Sequence, residues 1–324
     1  MNVSQPGGDV PELLGRGDDY LRSGDGKTAM IFYQAALKSA QAARLIDPKN
    51  LERLKEAQSF IQRRAEEFQE ALDRAFSGTR PAQEAARLRL DHSLEMLKGE
   101  RQIYQQQPAA FYYPYLAQRQ FFEREEFDWV PALEAQTETI RDELAAVLTE
   151  GADFRPYIER HADRPYRDFH GLNEDPSWTA LYLLRHGVPV EENASRFPAT
   201  MAALEKVPLT SFGSRTPDVL FSRLEAGAHI PPHTGILNCR LICHLPLIVP
   251  GGCWLRVGNE TRIWEEGKLL IFDDSMEHEA KNPSDELRII LLFDIWRPEL
   301  TSEERSAMSA VFDAIDQFRG VPEG

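Results

Sequence analysis

The stretch from Asp218 to Pro298 constrains the fold of this chain most strongly. It is dense in Val, Ile, Leu and Phe, and apolar residues recur at every second position. This period is that of one face of a β-strand, and Gly, Asn and Pro residues interrupt it as tight turns do. The pairs Gly258-Asn259 and Glu266-Gly267 are turn signals that predict hairpins. We therefore expect a sheet-rich C-terminal half.

The N-terminal half has a different period. From Pro11 to about Leu148, Ala, Glu, Gln, Arg and Leu predominate, and apolar residues recur three and four positions apart, which predicts helices. One helical hairpin approaches the tetratricopeptide pattern through Leu14, Gly15, Tyr20, Gly24, Ala29, Tyr33 and Ala36. Further helices are expected over residues 48–76 and 84–106. Plain amphipathic helices packed on each other would give the same pattern, so that alternative stays open.

These differences in residue pattern divide the 324 residues into four parts. Residues 1–105 are predicted to form an α-helical, tetratricopeptide-like region, and 106–150 a connector followed by a helix. Residues 151–300 are predicted to form the β domain, and 301–324 a C-terminal helix and tail. The predicted fold class is α+β, with more than one domain expected for this length.

Composition excludes several classes of protein. The 37 basic and 52 acidic residues give a net charge of −15, which repels phosphate backbones, so we expect no nucleic-acid partner. The three cysteines form no CxxC pair and are too few for a disulfide framework. The N-terminus lacks a signal-like apolar region, and the apolar runs are shorter than a membrane span. We expect a cytoplasmic protein without a membrane partner.

Residues 229–247 place polar side chains where chemistry is possible. Two prolines fix the backbone just before His233, as a metal ligand requires, although a histidine in a loop is more often plain surface. In the following strand, Arg240, Ile242 and His244 share one face, opposite a continuous apolar layer. That face is expected either to line an anion-binding pocket or to be solvated.

Two further polar residues interrupt predicted strands. Ser222 lies on the same face as Leu220 and Leu224, where its hydroxyl could bind a ligand or simply bond to neighbouring backbone. Arg288 stands among Ile and Leu at the start of the last strand. A buried arginine must find an anion or reach solvent, and its guanidinium suits a carboxylate held by two hydrogen bonds.

The order of these residues indicates a metal-dependent oxygenase. His233 and His278 are 45 residues apart on either side of antiparallel strands, and Arg288 follows ten residues later. In a double-stranded β-helix, a jelly-roll or cupin-like barrel, this layout brings both histidines to one metal. Fe(II)- and 2-oxoglutarate-dependent oxygenases have this order but usually add a carboxylate two residues after the first histidine. Gly235 occupies that position, which leaves either an inactive site or a site with two histidines.

From about residue 120 to 300, the sequence resembles the aspartyl/asparaginyl β-hydroxylase family. The matching motifs are HTGxxNCRLxxHLPL at 233–247, NETxxWEEGKxLIFDDSxEHE at 259–279 and LRxIxLFDxWxPEL at 287–300. These motifs are long and gapless. The family has a glycine in place of the usual carboxylate ligand, so Gly235 agrees with the resemblance.

The resemblance implies a role for each site residue. His233 and His278 would bind Fe(II), Ser222 and Arg288 the distal carboxylate of 2-oxoglutarate, and His244 the carboxylate beside its keto group. Arg240 and Trp178 would contact the substrate. The implied reaction hydroxylates the β-carbon of an Asp or Asn residue, or of a related small acid or amide, with O₂ and release of succinate and CO₂. Animal members have arginine where this chain has Ile242, and another near Asn173.

Two other functions stay open at this point. The first is hydroxylation of an acyl chain, as in the related lipid A hydroxylases. The second is a non-catalytic, cupin-like binding module, which would not need Ser222, His244 and Arg288 together. The substrate is expected to be a peptide, a protein or a small molecule.

Overall fold

The computed structural model describes residues 9–42, 47–159, 168–212 and 215–319. The chain divides into two compact units, Met1–Arg101 and Gln102–Gly324. The helices of the first unit are α1 (Val10–Arg22), α2 (Gly26–Ala42), α3 (Pro48–Ser77) and α4 (Glu84–Lys98). The second unit contains the sheets and the helices that cover them.

Small residues bring the first two helices of the N-terminal unit together. Ala29 and Ala36 of α2 are fully buried, and a Cβ added to Gly17 of α1 would lie 2.5 Å from the ring of Tyr33. The close contact is therefore at Gly17; Gly15, which the repeat pattern singled out, has no atom within 4 Å of its added Cβ. The tetratricopeptide assignment stays a prediction.

The last helix of this unit is shorter than the sequence predicts. We expected helix over residues 84–106, but α4 ends at Lys98. Gly99 follows with φ of 77°, and its N–H bonds to the carbonyl of Met96. A left-handed glycine closes a helix in this way because it has no Cβ to clash.

The second unit is a mixed α and β structure. Its strands are β1 (Phe121–Phe122), β2 (Arg155–Pro156), β3 (Trp178–Arg185), β4 (Val188–Pro189), β5 (Val219–Leu224), β6 (His229–His233), β7 (Arg240–Ile248), β8 (Trp254–Val257), β9 (Glu260–Ile263), β10 (Leu270–Phe272), β11 (His278–Lys281) and β12 (Arg288–Trp296). Its helices are the 3₁₀ turn Arg124–Glu126, α5 (Val130–Glu134), α6 (Thr137–Glu150), α7 (Glu191–Ala194), α8 (Pro198–Leu204) and α9 (Ser302–Arg319).

The strands form two antiparallel sheets. The larger has the order β1-β10-β7-β12-β5-β3-β2, with β4 beside β3, and the smaller has the order β6-β11-β8-β9. One apolar cluster joins them, with Leu224 and Phe272 from the large sheet and Ile230, Leu255 and Val257 from the small sheet. Two sheets closed over a shared core are the double-stranded β-helix, or jelly roll. The α+β class and the cupin-like barrel are confirmed.

Helices cover the outer face of the large sheet. Residues of α5, α6 and α8, such as Leu133, Leu144 and Leu204, pack in one cluster with Leu241 and Leu245 of β7. Alternation along β7 sends Leu241, Cys243, Leu245 and Leu247 into this cluster, as the sequence predicted. The opposite face of β7 therefore points into the barrel.

One predicted turn and the segments before and after the barrel complete the second unit. Val257 pairs with Glu260 across the predicted Gly258-Asn259 turn. The segment before the barrel joins the large sheet through β1, which pairs with β10, and Phe312 of α9 packs against Phe212. Among the helices described, none combines the length and the apolarity needed to cross a membrane.

Candidate metal centre

Two histidines meet on the edge strand of the small sheet and its neighbour. His233 ends β6, His278 begins β11, and the two residues are direct partners across these antiparallel strands. Their ring centroids are 4.1 Å apart, with an angle of 52° between the rings. Cross-strand neighbours project on the same side of a sheet. The pairing of β6 with β11 thus brings together two rings that are 45 residues apart in sequence.

A backbone carbonyl fixes each ring through Nδ1. His233 Nδ1 lies 2.8 Å from the carbonyl of Pro231, and His278 Nδ1 lies 3.0 Å from that of Met276. A carbonyl only accepts, so each Nδ1 carries the proton and each Nε2 keeps its lone pair. Metal-binding histidines are oriented by such bonds. The donor set therefore suits a divalent transition metal.

Burial keeps both rings neutral. It lowers the pKa of His233 to about 3, with a further contribution from His278, and lowers the pKa of His278 to about 4. Neutral imidazole is the form that binds metal. Within the described ranges, no three His, Cys, Asp or Glu side chains are grouped to hold an ion. The candidate site is thus a pair of histidines.

Gly235 lies against an acidic side chain. Its N–H donates to the carbonyl of Asp274 at 2.6 Å, and a Cβ added to it would lie 2.0 Å from Asp274 Oδ2. No larger residue fits without a rearrangement, because real Cβ atoms do not approach that closely. The position where related oxygenases place a carboxylate ligand is therefore closed to a side chain by Asp274.

Arg240 is held by two carboxylates. Its guanidinium lies 3.3 Å from Asp274 Oδ2 and 3.3 Å from Asp294 Oδ2, and all three side chains are largely buried. Burial opposes the charge of Arg240, but the carboxylates outweigh it and raise its pKa. Burial also raises the pKa of Asp274, against the effect of Arg240, and its Oδ1 has no hydrogen-bond partner among the described residues. The predicted contact of Arg240 with substrate stays a prediction.

Arg288 is a buried cation without a carboxylate partner in the described part of the chain. It is 1% exposed, and its Nη1 lies 3.3 Å from the carbonyl and 3.5 Å from the hydroxyl of Ser222. Its Nε is unpaired, and the guanidinium lies 4.8 Å from the centre of the Trp264 ring. Burial lowers the pKa of Arg288 to about 10, which leaves it charged at neutral pH. Such a group fits an anionic ligand.

The Ser222 hydroxyl connects Arg288 with a group of aromatic side chains, Trp178, Tyr157 and Phe169. Trp178 Nε1 lies 3.3 Å from Ser222 Oγ, and the indole stacks on Tyr157 with centroids 4.0 Å apart. The Phe169 ring is tilted against the Trp178 ring, with centroids 6.4 Å apart, and meets the His233 ring edge-on at 5.3 Å. Trp178 thus lies beside Ser222, one of the expected 2-oxoglutarate residues, and is linked through Phe169 to His233.

His244 lies near both Arg288 and His278. It is buried, its Nδ1 has no hydrogen-bond partner within the described segments, and Phe272 meets its ring edge-on at 4.9 Å. Burial, followed by the charge of Arg288, lowers the pKa of His244 well below its usual value. A neutral ring with an unpaired nitrogen is free to bond to a ligand carboxylate or keto group.

The acidic partners of this site were not predicted from the sequence. Asp274 and Asp294 follow or interrupt apolar strands, which was a detectable signal, because a buried carboxylate needs a cation. Nothing in the sequence showed that Arg240 would be that cation. Asn173, where animal relatives were expected to have arginine, accepts a hydrogen bond from the Phe169 N–H at 2.7 Å.

A double-stranded β-helix with paired histidines at its opening and a buried arginine inside defines a cupin-like barrel with a candidate metal centre. Residues 134–298, about half of the chain, match the family model "Aspartyl/Asparaginyl beta-hydroxylase". The chain therefore belongs to the aspartyl/asparaginyl beta-hydroxylase family.

Two curated relatives show how far the similarity extends. The chain is 39% identical over 184 residues to human aspartyl/asparaginyl beta-hydroxylase, which covers 56% of this chain and 23% of the human protein. It is 37% identical over 175 residues to the ornithine lipid ester-linked acyl 2-hydroxylase of Rhizobium tropici, which covers 53% of this chain and 58% of that protein. The chain thus spans about a quarter of the first relative and little more than half of the second.

Among solved structures, the cupin domain of Schizosaccharomyces pombe Cnp3 is similar at 10% identity and a TM-score of 0.26. It covers 45% of this chain, and the match covers 74% of that domain.

Proposed function

We propose that this chain is an Fe(II)- and 2-oxoglutarate-dependent dioxygenase. Its reaction would hydroxylate the β-carbon of an Asp or Asn residue, or of a related small acid or amide, and release succinate and CO₂. The observation that supports this most directly is the pair of rings of His233 and His278, 4.1 Å apart, each oriented by a backbone carbonyl at Nδ1.

His233 and His278 would hold the metal. Both rings are neutral and are oriented through Nδ1, so binding would require no loss of a proton from either. Fe(II), when bound, supplies the O₂ chemistry that oxidises 2-oxoglutarate and hydroxylates an unactivated carbon. The protein's own contribution is to leave coordination positions open: the contact between Gly235 and Asp274 keeps a third side chain away.

Arg288 and Ser222 would bind the distal carboxylate of 2-oxoglutarate. An arginine that is 1% exposed and lacks a carboxylate partner within the described residues needs an anion, and a guanidinium–carboxylate pair supplies two charge-assisted hydrogen bonds. The Ser222 hydroxyl, 3.5 Å from Arg288 Nη1, would donate to the same carboxylate. His244 would bond to the carboxylate beside the keto group through its unpaired nitrogen.

Trp178 and Arg240 would position the substrate. Trp178 lies between Ser222 and Phe169, and Phe169 contacts His233. These aromatic side chains would orient a substrate group near the metal. Arg240 is shared by Asp274 and Asp294, and an acidic or amide substrate would have to compete with these partners or bind beside them.

One observation favours a second candidate, the 2-hydroxylation of an acyl chain. Ile242 stands on the barrel-facing side of β7 and is buried in the apolar cluster that contains Trp178 and Phe272. An apolar side chain there cannot pair with a substrate carboxylate. The R. tropici relative is named as an acyl 2-hydroxylase, which makes this substrate class the natural comparison.

Succinate release with mass detection of the product tests both candidates. The protein is incubated with Fe(II), ascorbate, 2-oxoglutarate and either Asp- or Asn-containing peptides, free Asp and Asn, or 2-unsubstituted acyl lipids. We expect succinate and a product heavier by one oxygen atom from one class, with both signals absent in His278→Ala. Binding of 2-oxoglutarate without succinate from any class would instead favour a non-catalytic binding module.

A further inference from the structure

A buried amide side chain contacts both segments that bear the proposed metal histidines. Gln106 is 6% exposed and lies in the connector before the barrel. Its Oε1 accepts from Asn238 Nδ2 and Gln118 Nε2, each at 3.0 Å. Its Nε2 donates to Asp273 Oδ2 at 2.6 Å and to the carbonyl of Ala117 at 3.2 Å. These bonds use the whole capacity of an amide side chain, so the orientation of Gln106 is fixed.

One bond of Gln106 leads to His278. Asp273 begins the turn before this histidine, and its Oδ1 accepts from the N–H of Ser275 at 3.0 Å. The N–H of Met276 donates to the Asp273 carbonyl at 3.3 Å, which closes the turn. The carbonyl of Met276 in turn receives His278 Nδ1. Asp273 therefore shapes the turn whose carbonyl orients the ring of His278.

The other bond of Gln106 leads to the His233 side. Asn238 follows His233 by five residues and is fully buried. Its amide exchanges hydrogen bonds with the backbone of Tyr113, of 2.6 Å to the N–H and 2.8 Å to the carbonyl. Between these points, the N–H of Ala109 donates to the carbonyl of Gly235 at 3.0 Å. The connector thus runs along the segment that leaves His233.

We propose that Gln106 is a positioning residue for the metal centre. By joining Asp273 to Asn238, it adds a buried side-chain link between the turn before His278 and the segment after His233, beside the backbone bond from the Gly235 N–H to the Asp274 carbonyl. Metal sites tolerate errors of only about 0.2 Å in ligand distances, so a small separation of these segments weakens binding. The inference rests on the proposed function, because it requires that the two histidines share a metal.

A purely structural role for Gln106 predicts that its replacement lowers stability but leaves metal affinity unchanged. Asp273 also pairs with Arg297, whose Nη1 lies 2.7 Å from Asp273 Oδ2, and both side chains are fully buried. Loss of Gln106 therefore leaves this carboxylate with its counter-charge and does not create an unpaired buried ion. The expected damage is local freedom between the two segments, in addition to some loss of stability.

Metal affinity measured against a matched variant tests this role. Mn²⁺ is titrated into the full chain and followed by electron paramagnetic resonance, for the wild type, Gln106→Met, Gln106→Asn and Gln118→Met. Methionine replaces glutamine at similar volume without its polar atoms. Asparagine, one methylene shorter, cannot reach Asp273 and Asn238 together. Gln118→Met removes two bonds to Gln106, one to its side-chain oxygen and one from its backbone N–H, and leaves Asp273 and Asn238 in place.

We expect Mn²⁺ to bind about tenfold more weakly to both Gln106 variants and unchanged to Gln118→Met, with melting temperatures measured in parallel. Affinity equal to the wild type in a folded Gln106 variant overturns the positioning role and leaves the proposed function intact. A wild-type protein that binds no Mn²⁺ overturns both. If Gln106→Met does not fold, Gln106→Asn decides between the outcomes.

Discussion

The Cα of Gly235 lies directly against the carboxylate of Asp274, so that an added Cβ would be 2.0 Å from Oδ2. This contact leaves no space for a side chain at position 235, and among the described residues no third His, Cys, Asp or Glu side chain is grouped with the two histidines. Asp274 is in turn paired with Arg240 and cannot simply turn away without breaking a buried ion pair.

The contact makes Gly235 intolerant of a methyl group. We expect Gly235→Ala to lower the free energy of unfolding by about 1–3 kcal/mol, because overpacking a tight site displaces its neighbours. Gly235→Asp should lower it further, since it places a second carboxylate beside Asp274. Urea denaturation measures both changes.

Gly251→Ala is the matched control, because its added Cβ meets no atom within 4 Å. That variant should remain within about 0.5 kcal/mol of the wild type. The double variant Gly235→Asp/Asp274→Gly exchanges the two residues and should recover much of the loss. A Gly235→Asp protein as stable as the wild type would contradict the steric account.

Arg288 is expected to lower the stability of the ligand-free protein and to contribute to the binding of 2-oxoglutarate. Replacing it with methionine removes a buried charge that has no carboxylate partner among the described residues, so the ligand-free protein should be as stable as the wild type or more so. The 2-oxoglutarate requirement should rise about ten- to a hundredfold, because hydrogen bonds to charged groups contribute roughly 1.5–3 kcal/mol. Denaturation without 2-oxoglutarate and initial rates of succinate release measure the two effects.

Arg223 provides the comparison for Arg288. It lies on the neighbouring strand β5, is about one-third exposed and pairs with Glu225. Arg223→Met should leave the 2-oxoglutarate requirement unchanged. If Arg288→Met loses stability while its requirement stays at the wild-type value, Arg288 is a structural residue and not a ligand.

Arg240 is expected to stabilise the fold through its two carboxylates. Arg240→Leu leaves Asp274 and Asp294 buried without their cation, which should cost about 3–5 kcal/mol of unfolding free energy. The exposed pair of Arg223 and Glu225 should cost less than about 1 kcal/mol when Arg223 is replaced by leucine. Equal losses in the two variants would show that the buried pairs of Arg240 contribute little, and would leave substrate contact as its role.

Local pattern was sufficient to predict the strands of the C-terminal half, whereas the barrel was expected from the order of His233, His278 and Arg288 and from the family resemblance. Period-two alternation placed Leu241, Cys243 and Leu245 on one buried face, and the Gly258-Asn259 turn lies where the sequence indicated it. The end of α4 at Lys98 was missed because apolar spacing continued beyond Gly99, whose left-handed conformation stops the helix. Periodicity reports which face is apolar, whereas the end of an element depends on the backbone angle of one residue.

The charged partners of the site could not be predicted in the same way. Arg240 meets Asp294 because β7 pairs with β12, and it meets Asp274 because a turn after β10 passes nearby. Neither contact follows from spacing along the chain. The same is true of Gln106, a polar residue in a connector whose partners lie 132 and 167 residues away.

The central claim is that His233 and His278 together hold one divalent metal. Titration of Co²⁺ or Mn²⁺ into the purified chain tests it most directly, with His233→Ala, His278→Ala and His229→Ala as variants. His229 is on the same strand as His233 but is about 40% exposed and pairs with Glu279, so it controls for loss of any histidine. We predict one metal per chain in the wild type and in His229→Ala, and loss of that binding in each of the other two variants. Undiminished one-to-one binding in both His233→Ala and His278→Ala would contradict the claim.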